Sequence, residues 1–214
     1  MRQTMEQKPT DHSLVSFYGG LVYTESALMA DELTASLAGP VTACITGFEP
    51  LNNAELALFR QGKRLGARRA AVNRRLDDGL RALQTDLLGE VKQDKKGEAY
   101  KRLFEEGIKE ATAPRMDEQI EVAQEKVAVL SGSGALYSAA LVGEHVPKLE
   151  ALIAEGKQVQ EDQQAYEIAA ADLRVKTTAW KEEANAVLLS AEGELLKIAA
   201  ARKEKRAWVN TFFE

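Results

Sequence analysis

Cysteine is almost absent. Cys44 stands alone, which excludes an internal disulfide and fits a reducing compartment. With no second cysteine and no basic pair beside it, Cys44 reads as a small, inert, partly buried residue. Histidine is nearly as scarce: His12 and His145 are isolated, and neither stands at the Glu-x-x-His spacing of helix-bundle di-iron sites. Glu144 and His145 are neighbours, so on a helix they leave in different directions. His145 therefore reads as a bundle-end or surface residue, and neither a metal nor a cofactor is expected. There is no Gly-rich phosphate loop, nucleophile elbow or zinc spacing. Gly62 and Gly66 flank Lys63, but inside a helical pattern and after no strand. No catalytic set remains, and a non-enzymatic protein is the expectation.

Aromatic residues make up only 6% of the chain, and there are five prolines. No segment shows sustained alternation of apolar and polar residues, so no sheet is expected. No charge-free apolar run reaches the roughly 18 residues of a membrane helix without a Gly or Pro inside it. The N-terminus is a poor secretory signal. Glu6 and Asp11 dilute its charged region, and Ser16, Gly19 and Gly20 cut the apolar run from Leu14 to Tyr23. The expected setting is cytoplasmic. The net charge of −5 carries no global nucleic-acid signature.

What is abundant are the strong helix formers Ala, Leu, Glu, Lys, Gln and Arg. They are arranged with an internal repeat. At an offset of 108 positions Leu65 falls on Leu173, Leu80 on Leu188, Leu87-Leu88 on Leu195-Leu196, Lys95 on Lys203, Ala99 on Ala207 and Phe104 on Phe212. Tyr100 falls on Trp208. The expected fold is all-α: an elongated antiparallel helical bundle built from two tandem repeats of a helical hairpin with long helices. Residues 1–11 would be a flexible N-terminus, 12–108 the first repeat and 109–214 the second, both packed as one domain about a pseudo-two-fold axis.

Within the first repeat, a short helix near Ser26 to Leu37 should end at Gly39-Pro40. A loop should run from Val41 to Pro50, with Asn52 or Asn53 capping a long helix to about Lys92. Leu58, Leu65, Val72, Leu76, Leu80, Leu83 and Leu87 give that helix a heptad-like stripe. If unbroken it would span roughly 60 Å. Gly97 should interrupt, before a short helix with Tyr100, Leu103, Phe104 and Ile108. In the second repeat, Pro114 precedes a helix whose inner face is Met116, Ile120, Ala123, Val127 and Leu130. Ser131 to Gly134 should break or bend it. Ala135 to Val146 should be helical, with a turn marked by Pro147. A helix to about Arg206 then tolerates Gly156 and Gly193 at about 1 kcal/mol each. Aromatic knots at Tyr100 and Phe104, and at Trp208, Phe212 and Phe213, should plug the bundle ends.

Asp94 to Phe104 (DKKGEAYKRLF) and Trp208 to Phe213 (WVNTFF) resemble segments of uncharacterised all-helical bacterial proteins. The resemblance implies a helical fold and a bacterial setting, and no activity.

Two features could carry function. The first is a basic run, Arg60, Lys63, Arg64, Arg68, Arg69, Arg74 and Arg75, with no acidic residue between Glu55 and Asp77. All but Arg69 fall within about 140° of helical arc, opposite the Leu65, Val72 and Leu76 stripe. The second repeat lacks the run: Arg68, Arg69, Arg74 and Arg75 map to Lys176, Thr177, Glu182 and Glu183. Such a face can be plain solvated surface. It can also pair with the acidic helices carrying Asp117, Glu118, Glu121 and Glu125, or Glu161, Asp162, Glu167 and Asp172, or it can dock an acidic partner protein or a lipid surface. No aromatic interleaves it, which disfavours single-stranded nucleic acid. The leading expectation is a helical scaffold or interaction module that binds a protein partner or itself through long helix faces. Arg60, Lys63, Arg64, Arg68, Arg74 and Arg75 are then the candidate contact surface. Reversing Arg64, Arg68 and Arg75 to Glu should weaken capture.

The second feature is a pair of charge-free stretches, Leu33 to Phe48 and Val127 to Gly143. In outline they resemble the apolar tips of helical pore-forming toxins. The competing expectation is a membrane-active protein that inserts Val127, Val129, Leu130, Leu136, Tyr137, Leu141 and Val142. The plainer reading of both stretches is a corner between helices, because Gly39-Pro40 and Ser131 to Gly134 are turn chemistry.

Overall fold

A computed structural model describes residues 13–132 and 134–213. The polar stretch 1–11, His12 and Ser133 lie outside them. The fold is all-α, and no strand occurs among the described residues. In chain order the helices are α1 (Leu14–Met29), α2 (Ala38–Thr46), α3 (Phe48–Glu90), α4 (Glu98–Phe104), α5 (Ile108–Thr112), α6 (Met116–Gly132), α7 (Ala139–Arg202) and α8 (Arg206–Asn210). Single 3-10 turns cover Ala35–Leu37 and Gly134–Leu136. The chain forms two compact units. One takes Met1–Phe59 with Ile168–Glu214, and the other Arg60–Glu167, so α3 and α7 each contribute to both.

In the first unit, α1 buries Leu14, Phe17, Leu21 and Leu28 at alternating steps of three, four and seven. Ser13 caps its start by accepting from the Ser16 N–H at 3.1 Å. Buried Thr34 donates to the Leu28 carbonyl at 2.8 Å and closes its end. These residues pack on Val41 and Cys44 of α2, on Trp180, Ala184, Leu188, Leu195 and Ala199 of α7, and on Val209 and Phe212. Beside that stripe, α7 buries Thr177, Lys181, Asn185 and Glu192. Lys181 Nζ sits 5.7 Å from the Phe17 ring centre, and Glu192 pairs with Arg206. Trp180 sits between the rings of Phe17 and Phe48 and donates to the Cys44 carbonyl at 3.0 Å.

The second unit packs three long segments. The α3 stripe Leu65, Val72, Leu76, Leu80, Leu83 and Leu87 is buried as its spacing requires. It meets Met116, Ile120, Ala123 and Leu130 of α6, and Leu141, Leu149, Ile153 and Val159 of α7. Each fully buried Leu contributes about 1.5–3 kcal/mol. Along α3 the partners on α7 run backwards. Arg68 bonds Asp162, Arg75 bonds Glu155, Gly79 faces Leu149 and Asp86 meets His145, so the two segments are antiparallel. Between α3 and α6 the chain returns through α4 and α5, with Tyr100, Leu103 and Phe104 closing over Leu80, Leu83 and Leu87. The Tyr100 and Phe104 rings lie 5.8 Å apart, and the Trp208 and Phe212 rings 4.9 Å apart.

Several local expectations are corrected. The first helix is Leu14–Met29, not Ser26 to Leu37. Gly39-Pro40 does not end a helix but lies in the first turn of α2, where the missing proline N–H has no intrahelical partner to lose. The loop from Val41 to Pro50 is helical except at Gly47. Pro50 also falls in a first turn, that of α3, and Asn52 and Asn53 are interior rather than caps. Pro147 marks no turn. It lies inside α7 with exposed Gly143 four residues before it, so the carbonyl it frees can take water. Gly97 is the N-cap of α4, and Ile108 opens a helix of its own.

Candidate functional site

All seven cations of the basic run lie on α3 in the second unit, and the structure divides them. Arg68 meets Asp162 at 2.7 Å and Arg75 meets Glu155 at 2.6 Å, both on α7. Arg69 pairs with Asp117 at the start of α6. It was the one arginine outside the arc, and it points to a different neighbour. These pairs are one-third to one-half exposed, so each contributes no more than about 1 kcal/mol. They set the register of α3 against α6 and α7 more than its stability.

Arg60, Arg64 and Arg74 are exposed and have no ion-pair partner among the described residues. At 100° per residue they fall within about 80° of arc, centred roughly opposite the Leu65, Val72 and Leu76 stripe. Lys63 lies exposed beside them. The paired arginines sit on the flanks of α3 and the outward ones along its crest.

The seven candidate membrane residues are part of the core of the second unit. Leu130, Tyr137 and Leu141 are buried, and Val127, Val129, Leu136 and Val142 pack against the same cluster as Leu80, Leu83 and Leu87. The Tyr137 hydroxyl donates to the Ala99 carbonyl at 3.0 Å, and burial pushes its pKa up. Insertion would require taking this cluster apart. No helix among the described residues is long and apolar enough to cross a membrane.

Cys44 is buried in the first unit. Burial, with the Glu183 carboxylate nearby, pushes its thiol up to about 11. The thiolate is the reactive form. At pH 8 the native protein should therefore react with a disulfide reagent roughly a hundredfold more slowly than the unfolded chain does. Equal rates in the two states would show Cys44 to be accessible.

Sequence reasoning missed one cluster. Asp86 on α3 and Glu144 and His145 on α7 bring one ligand atom each within 4.8 Å of one another. The three stand 58 and 59 positions apart in sequence, and only the antiparallel packing of α3 on α7 joins them.

Comparison with protein-family models, curated proteins and solved structures returns no match.

Proposed function

We propose that the protein is a non-enzymatic helical interaction module that docks an acidic surface of a protein partner on the crest of α3. The observation that carries this reading is the division of the basic run. The flanking arginines are consumed by internal carboxylates, whereas Arg60, Arg64 and Arg74 project away from the core with no such partner among the described residues. A row of cations on a rigid helix speeds encounter with an acidic surface and fixes its register. It suits a cytoplasmic adaptor or scaffold better than a catalyst.

The division also chooses the experiment. Reversing Arg68 or Arg75 would break contacts to α7 and confuse folding with binding. The triple variant Arg60→Glu, Arg64→Glu, Arg74→Glu touches the crest alone. It should keep the wild-type helical circular dichroism and lose at least about tenfold in partner capture from native extract, with capture by the wild type falling as salt rises. Undiminished capture by a folded triple variant rejects the crest as the docking surface. Light scattering on the same samples separates a second copy of the chain from a different partner.

The architecture we propose beneath this is a tandem duplication of a helical hairpin, α1 to α4 and α6 to α8. Its support is the register of the short closing helices. Gly97 (φ −64°, ψ 154°) and Lys205 (φ −77°, ψ 154°) are both N-caps and stand 108 positions apart. So do the members of the ring pairs Tyr100–Phe104 and Trp208–Phe212. On this reading each compact unit joins the opening helices of one repeat to the closing part of the other.

A further inference from the structure

The α3–α7 seam of the second unit holds a cluster with the composition of a metal site. We infer that Asp86, Glu144 and His145 form a binding site for a divalent cation of the zinc class.

His145 is 3% exposed, so packing fixes its imidazole in place. Its Nε2 nevertheless points to the outside edge of the seam, 2.8 Å from Oδ2 of Asp86. The Asp86 side chain is 51% exposed and has room to draw back. Glu144 precedes His145 on the same helix and places a carboxylate oxygen within 4.8 Å of both other ligand atoms. A tetrahedral ion with bonds of about 2.0–2.1 Å needs its ligand atoms about 3.3 Å apart. The required movement is therefore small and falls on the two exposed carboxylates, not on the buried ring. One nitrogen and two oxygen ligands from the protein leave at least one coordination position to water on the open side.

The donor set also selects the ion. An imidazole nitrogen favours Zn²⁺, Co²⁺ or Ni²⁺ over Mg²⁺ and Ca²⁺, which take oxygen ligands. Two features act on the affinity. Lys148 bonds Glu144 at 2.9 Å and must release it, but this pair is exposed on both sides and its loss costs little. Asp86 lies just before the last turn of α3, toward the helix end that carries partial negative charge.

The test is calorimetric titration of the metal-stripped full chain with Zn²⁺, with Mg²⁺ and Ca²⁺ as comparisons and Co²⁺ as an optical probe. One equivalent of Zn²⁺ should bind, and Co²⁺ should develop visible d–d bands on the same site. Asp86→Asn alters an exposed side chain and should leave folding intact while weakening Zn²⁺ at least tenfold. His145→Gln should weaken it further and abolish the Co²⁺ bands. His12→Ala, which changes the other histidine, should leave both unchanged. Absence of Zn²⁺ binding, Mg²⁺ binding as tight as Zn²⁺, or Zn²⁺ affinity insensitive to Asp86→Asn would each overturn the assignment.

Discussion

Trp180→Ala is expected to cost about 3–5 kcal/mol of folding stability. The indole is 6% exposed and fills the space between Phe17 of α1 and Phe48 of α3, with ring centres 6.4 and 6.2 Å away. It lies against the Gly47 break, where a Cβ would come within 2.9 Å of Nε1. It therefore joins α1, α2, the start of α3 and α7 in one contact set. Truncation to alanine leaves a cavity bounded by helices that hold one another, so collapse into it is limited. Trp180→Phe keeps part of the ring packing and loses the hydrogen bond to the Cys44 carbonyl and part of the buried volume, so it should cost less than Trp180→Ala. Urea unfolding followed by circular dichroism measures both. A Trp180→Ala variant within 1 kcal/mol of wild type would show that the packing of the first unit does not depend on this residue.

Gly156→Ala should destabilise by roughly 1–3 kcal/mol, although alanine is the better helix former. A Cβ at position 156 would stand 2.6 Å from Cδ1 and 2.9 Å from Cγ1 of Ile120. Ile120 is itself 2% exposed and cannot retreat freely. Gly193 lies on the same helix, is exposed, and has nothing within 4 Å of its added Cβ. There the propensity term acts alone, and Gly193→Ala should stabilise by about 0.5–1 kcal/mol. Opposite signs for one substitution on one helix separate close helix packing from backbone propensity. Equal effects would remove the proposed role of Gly156 in bringing α6 against α7.

Those two glycines show where sequence reading stops. In the sequence both are interruptions of a helical pattern with the same cost, because the approach of Ile120 is a tertiary fact. The α3 stripe was legible from Leu65 to Leu87, since a heptad-like spacing over six buried residues has one helical solution, whereas Leu58 is only partly buried. The helix α1 was not, because Ser16, Gly19 and Gly20 obscure a stripe that the structure buries intact at Leu14, Phe17, Leu21 and Leu28. The turn signals at Pro40 and Pro50 misled for one shared reason. Proline reads as a break, but in the first turn of a helix it breaks nothing.

The basic run was legible as a face, and so were the acidic helices available to neutralise it. Which arginine meets which carboxylate was not, because that depends on the stagger of α3 against α7. The grouping of Asp86 with Glu144 and His145 was hidden in the same way. Two adjacent residues leave a helix about 100° apart, yet both bring a ligand atom within 4.8 Å of one carboxylate on the neighbouring helix.

If the crest of α3 is the docking surface, site-specific photo-crosslinking in cells should trap the partner there. A photoreactive side chain replaces Arg64 in one variant and exposed Gly193, on α7 in the other unit, in a second. Position 64 should give a discrete adduct that fades when Arg60 and Arg74 are reversed, and position 193 should give none. No adduct from position 64, or the same adduct from both positions, would contradict docking on the crest.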